Sequence, residues 1–124
     1  MKRDLALLKT LLQKACNIPN YGDYLEVTDE EFGFPPETET IKYHLLLLMD
    51  SGFIEARLNR DGGGLIKRLT NKGHDFLDLL NNETIWQKIK NKFAKTPDMA
   101  LSAIYDVGIG VGIATITEFI ARHS

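Results

Sequence analysis

A single cysteine, Cys16, occurs in this chain of 124 residues. One thiol cannot form an internal disulfide, so the fold must hold without staples, and the usage fits a reducing compartment. No HxxxH or CxxC spacing joins Cys16 to His44, His74 or His123. That leaves no metal set and no paired base for a thiol nucleophile. There is no excess of positive charge either. The formal net charge is −2, so the basic surface usual for a nucleic-acid binder is missing from the chain as a whole. The start lacks an apolar leader, because Lys9 and Lys14 interrupt the leucines that follow Met1-Lys2-Arg3-Asp4. No signal peptide is expected, and a cytoplasmic location is. Long apolar runs are absent too. Only 11 uncharged residues separate Asp106 from Glu118, fewer than the roughly 18 a membrane span requires. These absences point to a non-enzymatic protein without metal or cofactor.

What is present is an ordinary globular composition, 44% hydrophobic and 26% charged. A chain of this size buries roughly two-thirds of its unfolded surface. Leu5, Leu8, Leu12 and Ala15 recur at helical spacing, with Asp4 as cap, and Asn17 and Pro19 end that helix. Tyr24 to Thr28 alternates as a short strand, with Leu25 and Val27 on one face. The run from Asp29 to Pro36, DEEFGFPP, has room for about one helical turn, since Gly33, Pro35 and Pro36 interrupt it. Its carboxylates Asp29, Glu30 and Glu31 read as a solvated loop run.

The stretch from Ile41 to Leu80 is the centre of the chain. Pro36 predicts a helix over Glu37 to Ser51, with Glu37 and Glu39 in its first turn. Ile41, Leu45, Leu48 and Met49 form its inward stripe, widened by Leu46 and Leu47; His44 reads as a surface or half-buried structural residue. Phe53 to Leu58 and Leu65 to Leu69 read as two strands around the tip Asn59-Arg60-Asp61-Gly62-Gly63-Gly64. Thr70 caps a helix to Leu80 with Phe76, Leu77 and Leu80 inward, and Gly73 in its first turn permits close packing on the ribbon. Asn82 caps a further helix to Ala94, with Ile85 or Trp86, Ile89 and Phe93 on one side. Thr96-Pro97-Asp98 signals a last helix, glycine-rich and without a clear polar face.

The predicted fold is α+β and mostly α: a winged helix-turn-helix with a small β-ribbon wing over residues 1–81, and a C-terminal helical extension over residues 82–124. The wing is locally basic. Residues 57–74 carry Arg57, Arg60, Lys67, Arg68 and Lys72 against one acid, Asp61. Residues 1–56 carry five basic and ten acidic side chains.

Three blocks add a resemblance. YHLLLLMDSGFIEA from Tyr43, RLTNKGHDFLD from Arg68 and NNETIWQKIKNK from Asn81 occur together behind an MKRD start and a leucine helix. In this the chain resembles a family of small prophage- and mobile-element-encoded proteins, catalogued as a domain of unknown function and expected to be winged helices. The central segments are similar, more generically, to PadR-like and MarR-like regulators. The resemblance implies a fold and a setting, and no activity.

Two functions follow as expectations. In the first, duplex DNA is contacted by Thr40, Lys42 and Tyr43 on the second helix and by Arg57, Arg60, Lys67 and Arg68 through the wing. In the second, those are solvated ribbon charges, acids at the helix start repel phosphates, and the domain binds a protein. Gly108, Gly110 and Gly112 in a helix each cost about 1 kcal/mol relative to alanine. The small-xxx-small spacing of Gly108 and Gly112, flanked by Ile104 and Ile116, predicts self-association, a homodimer being the expected state.

Overall fold

The computed structural model describes residues 3–60, 63–97 and 99–110. Its elements are α1 (Leu5–Cys16), β1 (Leu25–Val27), two 3₁₀ turns (Glu30–Phe32 and Pro36–Thr38), α2 (Thr40–Asp50), β2 (Ile54–Leu58), β3 (Gly64–Leu69), α3 (Asn71–Asn81) and α4 (Glu83–Lys95). A further helix, α5, occupies 101–110. The protein is α+β and mostly helical, with one three-stranded antiparallel sheet in the order β1-β3-β2. It divides into two compact units, Met1–Asp75 and Phe76–Ser124.

In the first unit α1 packs on α2 and β3, and α2 packs on β2 and β3. The periodicity of α1 is the cause. Leu5, Leu8, Leu11, Leu12 and Ala15 are buried, and each leucine contributes on the order of 1.5–3 kcal/mol by leaving water. Asp4 caps the helix as expected, its Oδ1 accepting the Leu7 N–H at 3.0 Å. The strand at Tyr24 to Thr28 shortens to Leu25–Val27 and pairs with β3, Leu25 opposite Ile66 and Val27 opposite Gly64.

Helix α2 departs from its expected start. Pro36–Thr38 closes as a separate 3₁₀ turn, and Glu39 follows at φ 53°, in the left-handed region. A non-glycine residue there breaks helical continuity, so α2 begins at Thr40. Glu37 and Glu39 therefore lie ahead of the first turn. The carboxylate at the helix start is that of Asp29, which is buried rather than solvated. Its Oδ1 accepts the Ile41 N–H at 2.7 Å and its Oδ2 accepts the Thr38 hydroxyl at 3.1 Å.

The inward face of α2 also differs. It comprises Ile41, His44, Leu45 and Leu48, while Leu46 is 45% exposed and Leu47 and Met49 are half-buried. Positions 41, 44, 45 and 48 are the strict helical stripe, and His44 fills one of them completely buried. Its Nε2 accepts the Asp4 N–H at 2.9 Å, and its Nδ1 faces the Thr40 carbonyl at 2.8 Å. An amide only donates and a carbonyl only accepts, so the proton sits on Nδ1 and the ring is neutral. Burial pushes its pKa below the ordinary 6.5, against smaller opposing effects of the Thr40 carbonyl and the Asp4 carboxylate. The unfolded chain takes up this proton before the folded one does. The stabilisation is thus complete above 6.5 and is lost as pH falls from there through the folded value. Urea midpoints are expected to drop over that window, and His44→Gln is expected to flatten the drop. An equal slope in the variant removes His44 as its source.

Phe76, Leu80, Ile85, Trp86, Ile89, Leu101 and Ile104 are buried in the second unit, and Phe76 and Tyr105 meet edge to face at 5.8 Å. Asn82 caps α4, its Oδ1 accepting the Ile85 N–H at 3.1 Å. Thr96-Pro97 does not open the last helix. The Met99 N–H returns to the Thr96 carbonyl, closing a turn with proline at its second position. The described part of α5 has one buried side, Leu101, Ile104 and Gly108, and exposes Ser102, Asp106 and Gly110. Over this stretch the helix is amphipathic, not apolar all round.

Candidate functional site

The basic residues of the ribbon owe their arrangement to a β-bulge. Glu55 lies opposite Arg68, but the next residue, Ala56, lies opposite Ile66. Lys67 is the extra residue on β3. Strict alternation would turn Lys67 and Arg68 to opposite faces; the bulge leaves both exposed while Ile66 and Leu69 stay buried. Arg57 on β2 is exposed as well.

These cations are not equivalent. Arg68 Nη2 donates to Glu55 Oε1 at 2.7 Å, and its Nη1 donates to the Leu69 carbonyl at 3.1 Å. That hydrogen bond holds the Glu55 carboxyl below its usual range and raises the Arg68 guanidinium further. Arg57 and Lys67 have no hydrogen bond or ion pair among the described residues. A polyanion meeting Arg57 and Lys67 breaks no hydrogen bond or close ion pair among the described residues, Lys67 acting on Glu55 only at longer range; one meeting Arg68 competes with Glu55.

Arg57, Lys67 and Arg68 border one groove of about 760 Å³. Its other walls come from the end of α1, the 18–24 loop and the start of α3, including Tyr21, Tyr24 and His74. Tyr21 is 103% exposed and Tyr24 65%. Cys16 is exposed at the groove edge, because it follows buried Ala15 and so turns outward. Arg60 stands apart. It borders a second hollow of about 410 Å³ with Glu26, Asp29 and Glu30, an acidic setting. The α2 candidates line neither hollow. Thr40, Lys42 and Tyr43 are half-buried, and the Tyr43 ring lies edge-on to His44 at 5.2 Å.

The structure thus gathers three of the seven expected nucleic-acid contacts, leaves Arg60 among acids, and keeps Thr40, Lys42 and Tyr43 on another element. The two tyrosines were not expected there. Their signals were an Asn-Tyr-Gly-Asp turn and the outward phase of Tyr24 in its strand.

Of the four residues expected in self-association, Ile104 is buried. Gly108 is buried against its own chain, where a Cβ would lie 3.2 Å from Leu79 Cδ1 and 3.3 Å from Ile89 Cδ1. Gly112 and Ile116 lie outside the described residues. Among the described residues no group of His, Cys, Asp or Glu could hold a metal ion, and no helix is long and apolar enough to cross a membrane.

A family model described as "Hypothetical protein (DUF2513)" matches residues 2–99, which takes in the three sequence blocks and stops short of α5. A relative from Haemophilus influenzae, described as "Uncharacterized protein", is 36% identical, the alignment covering 86% of this chain and 92% of the relative. No solved structure matches. With a family model spanning most of its length and a relative this similar over nearly all of it, the chain belongs to the DUF2513 family.

Proposed function

We propose that this protein is a cytoplasmic, non-enzymatic winged-helix protein of prophage or mobile-element type that binds nucleic acid through its ribbon and self-associates through its C-terminal helix. The observation that carries the reading is the exposed pair Arg57 and Lys67, without a hydrogen bond or close ion pair among the described residues, set beside Arg68 by the bulge. The element order supports the winged-helix reading: a helix, a short strand that pairs with the ribbon, a second helix, the ribbon, then a third helix. Contacts of this kind position a polyanion and carry little sequence information.

The test is duplex DNA binding across a salt series, with light scattering for mass. Binding is expected at low salt, and Arg57→Ala with Lys67→Ala is expected to reduce the slope of log affinity against log salt by about 2. Arg68→Ala should change it less, since Glu55 already neutralises that charge. An unchanged slope in the double variant moves the site elsewhere. A protein that scatters as a monomer at concentrations on the order of tens of micromolar removes the self-association part.

A second reading, a protein-interaction module without nucleic acid, is favoured by the open face of α2, where Leu46 is 45% exposed and Asp50 is exposed beside it. Under that reading no duplex binds even at low salt.

A further inference from the structure

The geometry points to a single-stranded nucleic acid as the ligand of the groove between the outer sheet face and the 18–24 loop, its bases stacking on Tyr21 and Tyr24 and its phosphates lying on Arg57 and Lys67. This rests on the reading that the ribbon cations meet phosphates, and it names the form of nucleic acid they meet.

The loop is built to hold one tyrosine out. The Asp23 N–H closes a turn to the Asn20 carbonyl at 3.1 Å, and Asn20 Nδ2 donates to Asp23 Oδ2 at 3.2 Å. Gly22 sits at φ 93°, as the third position of a type II turn demands. Tyr21 occupies the second position, fully exposed. Tyr24 follows at the entry to β1, also exposed. Single exposed apolar residues are unremarkable on a protein surface. Here two aromatic rings border one groove with two exposed cations, Arg57 and Lys67, that make no hydrogen bond or close ion pair among the described residues. Of the two carboxylates of the same groove, Glu55 is neutralised by Arg68, while Asp23 is oriented by the Asn20 amide and keeps its charge. Arg57 and Lys67 outweigh that one acid, so the charge left for a ligand is positive.

That combination matches an anionic backbone carrying accessible planar faces. An acidic peptide would satisfy the cations and leave the rings without a partner. A duplex offers phosphates but keeps its base faces stacked inside, and a ring reaches them only by unstacking a step at a cost of a few kcal/mol. An unpaired strand offers both at once, and stacking tolerates any base. The α2 surface adds nothing for a duplex to prefer, since Lys42 is its only basic residue and Glu37 and Glu39 precede it.

The experiment is fluorescence anisotropy of the full chain with labelled oligothymidine and oligouridine of roughly twelve nucleotides, within the usual footprint of such sites, and with a duplex of matched length. Single strands are expected to bind about tenfold tighter than the duplex. Tyr21→Ala and Tyr24→Ala are each expected to weaken single-strand binding about tenfold and to leave duplex binding unchanged, while Tyr21→Phe and Tyr24→Phe retain it. Tighter binding of either single strand supports the proposal and assigns the preferred sugar. Duplex binding equal to or tighter than single-strand binding overturns it. So do alanine variants that bind single strands like the wild type. If either result comes with binding that still depends on Arg57 and Lys67, the broader nucleic-acid reading survives without this one. No binding to any of the three probes at low salt removes both. Both tyrosines are exposed, so an unchanged urea midpoint in each variant is the control for folding.

Discussion

Gly73→Ala is expected to lower the unfolding free energy by roughly 3 kcal/mol, although alanine is the better helix former. The site is the first turn of α3, where the helix crosses the residue that leads into β2. A Cβ at position 73 would run into the Phe53 carbonyl oxygen and lie 2.9 Å from its carbon and 3.2 Å from Leu69 Cδ2. That carbonyl cannot turn away. It accepts the Thr70 N–H at 3.0 Å, and the neighbouring Gly52 carbonyl accepts the Thr70 hydroxyl at 2.6 Å. The same hydroxyl oxygen accepts the Gly73 N–H at 3.0 Å. Making room means moving α3 or breaking this double clasp. Helix propensity alone predicts a gain of about 1 kcal/mol, so the sign of the change decides between the two effects. A fall of roughly 10 °C in melting temperature is the expected size. Gly110→Ala is the contrast, since nothing among the described residues lies within 4 Å of a Cβ there, and it is expected to gain up to about 1 kcal/mol. A stabilised Gly73→Ala variant would mean that the clasp does not fix the helix so close to the ribbon.

The helices and strands were legible where one physical signal dominated. Leucines at helical spacing placed α1, and alternation placed β2 and β3. Caps at Asp4, Thr70 and Asn82 were readable because each is a local bond, from a side chain to a backbone N–H three residues on. The start of α2 was not readable for the converse reason. Its cap comes from Asp29, twelve positions before Ile41, and no local pattern announces a bond across that separation. Thr96-Pro97 failed differently. Proline at the second position suits a helix start and a turn equally, and the surroundings chose the turn.

The candidate site was legible in its charges but not in its shape. Counting lysines and arginines located the basic ribbon. It did not show that Glu55 occupies Arg68, or that Arg60 sits among Glu26, Asp29 and Glu30. The bulge at Lys67 was invisible because a strand with one extra residue looks like any other until its partner's register is known. The tyrosines were hidden by the opposite problem. Each had an ordinary local reading, one in a turn and one on the polar face of a strand, and only the fold set them on one groove. The glycines of the last helix show how one local signal admits two outcomes. Small residues signal close approach of something, and at Gly108 the structure supplies Leu79 and Ile89 of the same chain.

Asp29→Ala carries the second large effect, an expected loss of about 2–3 kcal/mol. Three parts of the chain converge on this residue. Its backbone carbonyl accepts the Phe32 and Phe34 N–H groups at 3.1 and 2.9 Å, shaping the loop. Its carboxylate takes the Ile41 N–H and the Thr38 hydroxyl. Only the carboxylate bonds are lost on truncation, so the loop should persist while the first turn of α2 loses its acceptor. Glu39 cannot substitute, because it stands at the cap position in the left-handed region and its side chain makes no capping bond. The Ile41 N–H would then be unsatisfied next to a fully buried side chain. Leaving a buried donor without a partner costs more than the bond itself is worth. Asp29→Asn keeps an acceptor oxygen in place and loses the charge opposite the helix dipole, so about 1 kcal/mol is expected. The order wild type, Asn, Ala in urea midpoint is the first measurement. Faster amide exchange at Ile41 in the alanine variant, with the α1 amides unchanged near neutral pH, is the second. Equal midpoints for alanine and wild type would show that water caps α2 as well as Asp29 does. The matter bears on function, because this bond fixes where α2 begins relative to the loop after β1. A protein whose α2 frays should keep its ribbon and its groove, and nucleic-acid binding that survives Asp29→Ala at a temperature well below unfolding would place the binding surface on the sheet side rather than on α2.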